Sequence, residues 1–202
     1  PVEGLLVFAK NPKTAAGLSA QLQKREEEAG FCKHYYAVLC GRPAETGGAL
    51  EDYLRKKDGR AEIEERQSGK TMCSDVRRAR LQYSILQTVD LAEIVPQVIG
   101  TEPDRVNQTG ARMKHGEIAL ADVRLETGRF HQIRAQMAHG GTPLLGDLKY
   151  GNVESMEAGR KLNVRNVALC AYRLEFLHPV TGRKMDFHIK PRGEVFSLFS
   201  QL

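Results

Sequence analysis

Apolar and polar residues alternate along much of this chain with the two-residue period that is typical of β-strands. Between positions 34 and 40, Tyr36 and Val38 would face one side of an extended chain, and Tyr35 and Ala37 would face the other. We therefore predict a strand here, with Tyr35 and Tyr36 on opposite faces of its sheet.

The same period predicts further strands, which are joined mostly by hairpin turns. Residues 47–90 are expected to form an antiparallel meander, residues 117–126 another strand, and residues 185–189 the last strand. A strand over residues 167–177 is expected to point four apolar side chains inward, namely Cys170, Tyr172, Leu174 and Phe176.

The first residues of the chain lack this alternation. The continuous apolar run within positions 4–10 predicts a buried strand. A helix is expected to follow it, capped by Asn11 or Thr14, with Leu18 and Leu22 four positions apart on one face.

Other helical segments are few. Thr127-Gly128 is expected to open a helix that runs to about Ala138, residues 92–100 to form a short helix or turn, and residues 194–202 to form a final helix. Because strands outnumber helices and hairpin links dominate, we predict an α+β fold with a largely antiparallel mixed sheet and flanking helices. We see no repeat or domain break, so residues 1–202 are expected to form a single domain.

Composition narrows the class of protein. The chain has 202 residues, of which 41% are hydrophobic and 27% charged, and these values fit one globular domain. Its four cysteines form no CxxC pair, so neither a zinc site nor a disulfide framework is expected, and reduced thiols in the cytoplasm are the simplest interpretation. The net charge of +5 favours a polyanionic partner without identifying one.

Five stretches of the chain carry recognisable motifs. They are Gly4–Lys10, Lys33–Gly41, Arg124–Arg134, Pro143–Gly151 and Leu174–Pro179. In this order they resemble the RluA-like family of RNA pseudouridine synthases. A lone Thr-Gly-Arg would be a weak signal, whereas five ordered stretches across most of the chain are a strong one.

The resemblance implies a reaction and its nucleophile. Such enzymes isomerise uridine by breaking its C1′–N1 bond, turning the base and rejoining it through C5, and they need no metal or organic cofactor. The family's nucleophile is the aspartate of a His-Arg-Leu-Asp-Arg motif. By alignment it would lie two positions before Pro1, so we expect a catalytic domain that lacks its N-terminal segment.

The resemblance also assigns two catalytic residues within the chain. Arg129 matches the basic residue that pairs with the aspartate, and Tyr35 matches the tyrosine that stacks on the base and assists proton removal from C5. Arg129 could instead tie a helix start to a neighbouring loop, and Tyr35 could be a half-buried strand residue. We expect Tyr35 and Arg129 to share one basic cleft, and Tyr36 to be a core residue.

The implied partner is structured RNA, either ribosomal or transfer RNA, from which the uridine must be flipped out of its stack. Lys33, Arg124 and Arg134 are expected to bind RNA at the site or its edge, although Arg134 could instead brace the site. The basic residues between positions 56 and 80 are as consistent with a solvated surface as with RNA contact.

Three other polar residues lie within the motifs. We interpret His131 as a hydrogen-bonded structural histidine rather than a general base, and Asp147 as a turn residue that caps backbone amides. The family often has histidine where this chain has Gln136, so the role of that position stays open. The alternative to an isomerase is a catalytically silent RNA-binding domain of the same fold, and an unrelated basic protein is set aside.

Overall fold

The structure is a computed structural model that describes residues 2–23, 31–65, 73–94, 105–106, 112–113 and 116–202. The first five strands are β1 (Glu3–Gly4), β2 (Cys32–Cys40), β3 (Gly47–Lys57), β4 (Arg60–Ile63) and β5 (Arg77–Asp90). The others are β6 (Arg105–Val106), β7 (Arg112–Met113), β8 (Glu117–Leu125), β9 (Leu169–Leu177) and β10 (Lys184–His188). The α-helices are α1 (Pro12–Gln23), α2 (Leu91–Ile94), α3 (Gln132–His139) and α4 (Val153–Lys161), and a short 3-10 helix spans Glu194–Leu198.

Eight of these strands form one sheet in the order β1-β9-β2-β8-β5-β3-β4, with β10 also paired to β9. All of its pairings are antiparallel except that of β1 with β9. The predicted α+β class is therefore confirmed. Strand β2 lies between β8 and β9, and Ala37, Val38 and Leu39 are fully buried there.

The two faces of the sheet bury different sets of residues. On one, which we call the α3 face, Ala37 and Leu39 pack with Ile133 and Met137 of α3. On the other, which we call the α4 face, Val38 and Cys40 pack with residues from α4 and the C-terminal segment, including Ala158 and Phe196. Because neighbouring residues of β2 point to opposite faces, this strand contributes to both cores.

A bulge in β9 divides that strand between the two faces. Tyr35 of β2 pairs with Ala171, but His34 pairs with Arg173, so one residue of β9 is extra. Tyr172 packs on the α4 face like Cys170, and the extra residue turns Leu174, opposite Lys33, to the α3 face. The prediction that these two apolar side chains share one inward face was wrong.

Helix α1 packs against the part of β9 that follows the bulge. Its Leu18 packs with Leu174 and Phe176, and Asn11 caps the helix by accepting a hydrogen bond from the Thr14 amide at 2.9 Å. Leu22, four positions after Leu18, is exposed. None of the helices in the described residues is long and apolar enough to cross a lipid bilayer.

Three elements differ by more than a few residues from those predicted. Only Glu3–Gly4 of the first apolar segment is a strand, and Leu6 and Phe8 are 80% and 83% exposed because only alternate residues of this segment pack against α1 and β9. Helix α3 begins at Gln132 rather than Thr127. The predicted final helix is reduced to a single short 3-10 segment.

Candidate active site

Tyr35 lies in the middle of β2, between Val123 of β8 and Ala171 of β9. Its side chain packs on the α3 face with the cluster that includes Ile133. Burial raises the pKa of the Tyr35 hydroxyl above its usual value, so the phenol is protonated at neutral pH. The alternation along β2 therefore places the predicted catalytic tyrosine beneath the helix that follows Arg129.

Tyr36 occupies the opposite face, as predicted. Its ring is stacked on that of Tyr172, with centroids 3.6 Å apart and planes inclined by 8°. Both tyrosines pack against the core of the α4 face. Two adjacent tyrosines of one strand thus have separate environments.

Lys33 shares the α3 face with Tyr35, two residues earlier in β2. Its ammonium is 5.4 Å from the centre of the Phe31 ring, and it lies 3.8 Å from the point where a Cβ atom on Gly128 would stand. Burial lowers the pKa of this ammonium. Lys33 therefore bridges the space between the Tyr35 strand and the loop that carries Arg129.

Arg129 belongs to an ordered loop rather than to the helix. Its Nε donates a hydrogen bond of 2.9 Å to the backbone carbonyl of Arg78. In the part of the chain that the structure describes, its guanidinium forms no ion pair with a carboxylate. The side chain is exposed, which leaves it accessible to an anionic group supplied from outside these residues.

The buried amide of Gln132 holds this loop in place. Its Oε1 accepts hydrogen bonds from the Arg129 amide and the Thr127 hydroxyl, both at 2.9 Å. Its Nε2 donates to the Arg80 carbonyl at 3.0 Å, and the Arg80 amide donates to the Thr127 hydroxyl at 2.8 Å. Sequence reasoning gave Gln132 no role, although its position three residues after Arg129 is suited to a side-chain contact with the loop backbone.

Arg134 is engaged inside the protein. Its Nε and one terminal nitrogen each donate a 2.7 Å hydrogen bond to Asp147, whose side chain is 0% exposed. Burial opposes ionisation of Asp147, but hydrogen bonds from Arg134 and from the Tyr150 and Lys149 amides outweigh it and hold the pKa of the carboxyl below its usual range. The expected turn-capping role of Asp147 matches this geometry.

His131 links Arg134 to Tyr150. Its Nε2 lies 3.2 Å from an Arg134 nitrogen, which can only donate, so the imidazole proton belongs on Nδ1, 3.0 Å from the Tyr150 hydroxyl. Burial and then the nearby Arg134 charge lower the pKa of His131. Both ring nitrogens are thus occupied, as expected for a structural histidine.

Arg124 does not lie beside Tyr35. It pairs with His34, so its side chain is on the α4 face, where one guanidinium nitrogen is 3.8 Å from the Cys32 sulfur. Directly opposite residues of antiparallel strands share a face, and Tyr35 pairs instead with Val123. The structure therefore separates Arg124 from the face that carries Tyr35 and Lys33.

A small, open surface depression meets the site at the end of β2. Its lining includes Gln21 of α1, Lys33, Arg124 and Gly128. Arg124 and Lys33 approach the same depression from the two faces of the sheet. Arg124 is thus at the edge of the site rather than within it.

Gln136 serves helix packing. Its Nε2 donates to a carboxylate oxygen of Asp52 at 2.8 Å and lies 3.3 Å from the Ala79 carbonyl, and the same Asp52 carboxylate is 3.1 Å from His139. Because Gln136 is almost fully buried, these bonds attach α3 to β3 and β5.

Known proteins share both the sequence and the fold. The sequence profile of the family described as RNA pseudouridylate synthase matches residues 1–139. An "Uncharacterized RNA pseudouridine synthase" of Chloroflexus aurantiacus is 31% identical over 184 residues, which are 91% of this chain and 45% of that protein. "Ribosomal large subunit pseudouridine synthase D" of Zymomonas mobilis is 28% identical over 98% of this chain and 52% of its own length.

Among solved structures, "Human RNA Pseudouridylate Synthase Domain Containing 1" superposes with a TM-score of 0.60 at 21% identity. The match covers 95% of this chain and 65% of the human chain, and it shows a shared fold. The present chain spans about half the length of the curated relatives that match it along most of its length. Since the family profile extends over more than half of its residues, the chain belongs to the RNA pseudouridylate synthase family.

Proposed function

We propose that this chain is the catalytic part of an enzyme that isomerises specific uridines to pseudouridine in structured RNA. The observation that carries the proposal is that residues from two separate motifs lie close together. Tyr35 and Lys33 share one face of β2, and the Lys33 ammonium lies against Gly128, next to Arg129. A basic, aromatic site at this point suits a flipped nucleotide.

The position of the first strand supports this proposal, because an aspartate upstream of it could reach Tyr35. Gly4 pairs with Ala171, which pairs on its other side with Tyr35. Two strand spacings amount to about 10 Å. An aspartate two positions before Pro1 is five residues from Gly4, and five extended residues span up to about 17 Å. The nucleophile that the family motif supplies would therefore reach the site.

Each residue then has a separate task. The carboxylate acts at the ribose, the C1′–N1 bond breaks, and the turned base forms a bond from C5 to C1′ while C5 loses a proton and N1 gains one. Arg129 would keep the carboxylate ionised and fix its direction. Tyr35, with its raised pKa, serves as a neutral stacking platform, because its hydroxyl is not ionised at neutral pH.

The basic residues also divide into separate roles. We assign Lys33 to phosphate contact, since its ammonium borders the depression next to Gly128. Arg134 has a bracing role, because Asp147 and His131 take up its donors. Arg124 would contact only RNA that passes the edge of the sheet.

The names of several relatives favour ribosomal RNA of the large subunit as the substrate, with transfer RNA as the alternative. A cytoplasmic location follows from such a substrate and belongs to the same proposal. The catalytically silent RNA-binding domain stays the competing function, because the aspartate lies outside the sequence in hand.

The test is to express the full-length gene product and incubate it with unmodified transcripts of large-subunit ribosomal RNA and transfer RNA. Chemical mapping should reveal pseudouridine at defined positions in one transcript. Substitution of the aspartate by asparagine should abolish the product while RNA binding persists. RNA binding without pseudouridine in either transcript, or a gene that encodes no aspartate at this position, would favour the silent domain.

A further inference from the structure

Phe130 stands between Arg129 and His131, and 42% of its surface is exposed. One face of its ring lies against the His131 imidazole, with centroids 3.9 Å apart and planes inclined by 22°. The Lys56 ammonium, from the β3–β4 hairpin, is 4.7 Å from the centre of the same ring. Because the imidazole is too close to admit an ammonium between the rings, Lys56 covers the other face.

The support behind this ring is rigid. Both nitrogens of His131 are hydrogen-bonded, to Tyr150 and to Arg134, and Tyr150 also accepts a 2.7 Å hydrogen bond from the Ala61 amide of β4. His131 has a φ of 50°, in the left-handed region that residues with side chains adopt uncommonly. Such a conformation persists where the surroundings fix it, and it sets the direction in which Phe130 leaves the backbone.

The surroundings of the ring are positively charged. Burial is the main cause of the lowered pKa of His131, and the charges of Arg134, Lys149 and Lys56 lower it further. Single exposed apolar residues are common and need no function. This one differs because, among the described residues, the Lys56 ammonium is what covers its free face, and because it adjoins Arg129.

We propose that Phe130 and Lys56 form a binding platform for one RNA base that flanks the uridine in the active site. The base stacks on the ring face that Lys56 covers in the free protein, and the displaced ammonium pairs with a neighbouring phosphate. A cation over an aromatic ring is held weakly at exposed sites, and every base has a face that can stack. The inference rests on the proposed function, since it supplies the RNA contact next to that site.

The platform can be tested in the full-length protein with a short fluorescent oligouridylate. Phe130→Leu should weaken binding on the order of 10-fold, whereas Phe130→Tyr should bind like the wild type. Lys56→Gln should reduce the slope of log Kd against log salt by about 0.7, the value for one phosphate contact on a single strand. Phe130→Leu should leave that slope unchanged, because stacking releases no counterion.

Matched controls lie on β10. Phe187 is 44% exposed and has its ring 6.1 Å from that of Phe176, and Lys184 is paired with Glu175 at 2.9 Å. Phe187→Leu and Lys184→Gln should leave both the affinity and the salt slope unchanged. Equal binding by Phe130→Leu and Phe187→Leu would overturn the platform.

A second measurement covers the case in which Phe130→Leu unfolds more easily. An oligouridylate with 2-aminopurine beside its central uridine should lose fluorescence when the wild-type protein stacks on that base, and unquenched fluorescence would overturn the inference. If the wild type forms pseudouridine and Phe130→Leu binds the oligouridylate normally, the platform is refuted and the proposed activity stands. Binding and quenching as expected, with no pseudouridine formed, would refute the proposed activity alone.

Discussion

The side chains on the two faces of β2 have different environments. On the α4 face, Tyr36 is stacked on Tyr172, and the His34 imidazole lies between Asp122 and Glu175 at 3.7 and 3.8 Å. On the α3 face, Lys33 borders a depression beside Gly128, and Tyr35 lies two residues further along the strand. The guanidinium of Arg129, next to Gly128, has a backbone carbonyl as its described partner. On the α4 face the polar groups thus lie beside groups of the fold itself, whereas in the described residues these two cations of the α3 face lack a carboxylate partner and border the proposed site.

Removal of Arg129 should have the largest effect. Arg129→Ala takes away the cation that would orient the nucleophile, so turnover should fall by about 10²–10³-fold while RNA affinity changes little. Single-turnover pseudouridine formation and RNA binding are the two measurements. Arg124→Ala, on the other face, serves as the control and should keep near-normal turnover. A variant Arg129→Ala that turns over normally but binds RNA poorly would move Arg129 to phosphate binding.

Arg134→Ala should mainly destabilise the protein. It leaves the buried Asp147 carboxylate without its cation, a change that costs about 3–5 kcal/mol. Urea unfolding monitored by circular dichroism would measure this loss. The exposed pair of Arg173 and Asp186 offers the matched control, and Arg173→Ala should cost no more than about 1 kcal/mol. A stable Arg134→Ala protein with weakened RNA binding would instead support the phosphate contact.

Two tyrosine substitutions separate the faces at adjacent positions. Tyr36→Ala removes a stacked ring and should lower the free energy of unfolding by about 2–3 kcal/mol. Tyr35→Phe keeps its ring and loses only the hydroxyl, so stability should change by less than about 1 kcal/mol. Thermal unfolding of both variants tests this contrast. A larger loss of stability in Tyr35→Phe than in Tyr36→Ala would contradict the assignment of Tyr36 to the core and Tyr35 to the site.

The smallest expected effect concerns pH and His131. A histidine whose pKa is lower in the folded state than in the unfolded chain takes up fewer protons when folded, so its contribution to stability is lost as pH falls below about 6.5. The free energy of unfolding should therefore decline from pH 7 towards pH 5 more steeply in the wild type than in His131→Asn. Identical slopes in urea titrations across this range would show that His131 does not contribute.

Local periodicity predicted those parts of the fold that depend on single strands. The opposite orientations of Tyr35 and Tyr36 followed directly from alternation. The same rule, applied along β8, would have placed Arg124 and Val123 on opposite faces. Arg124 was instead predicted to lie at the site or its edge because it belongs to the same motif as Arg129. The bulge at Tyr172 was not predictable in this way, because it arises from pairing with a distant strand.

The start of α3 shows a second limit. Thr127-Gly128 resembles a helix start, yet the buried Gln132 amide holds residues 127–129 in an irregular loop through contacts with β5. Such competition between a side chain and the helix backbone depends on tertiary structure. The motif therefore did not predict the element on which Arg129 lies.

Because of the extra residue, β9 packs against elements on both faces of the sheet. Before the bulge Cys170 secures the α4 face, and after it Leu174 and Phe176 hold α1 on the other. Regular pairing of the same residues with β2, without the bulge, would place Tyr172 opposite His34 and exchange the orientations of every later residue of the strand. Leu174 and Phe176 would turn away from Leu18, and α1 would lose its packing contacts beside the depression. The bulge in β9 therefore keeps α1 packed against the sheet beside the depression.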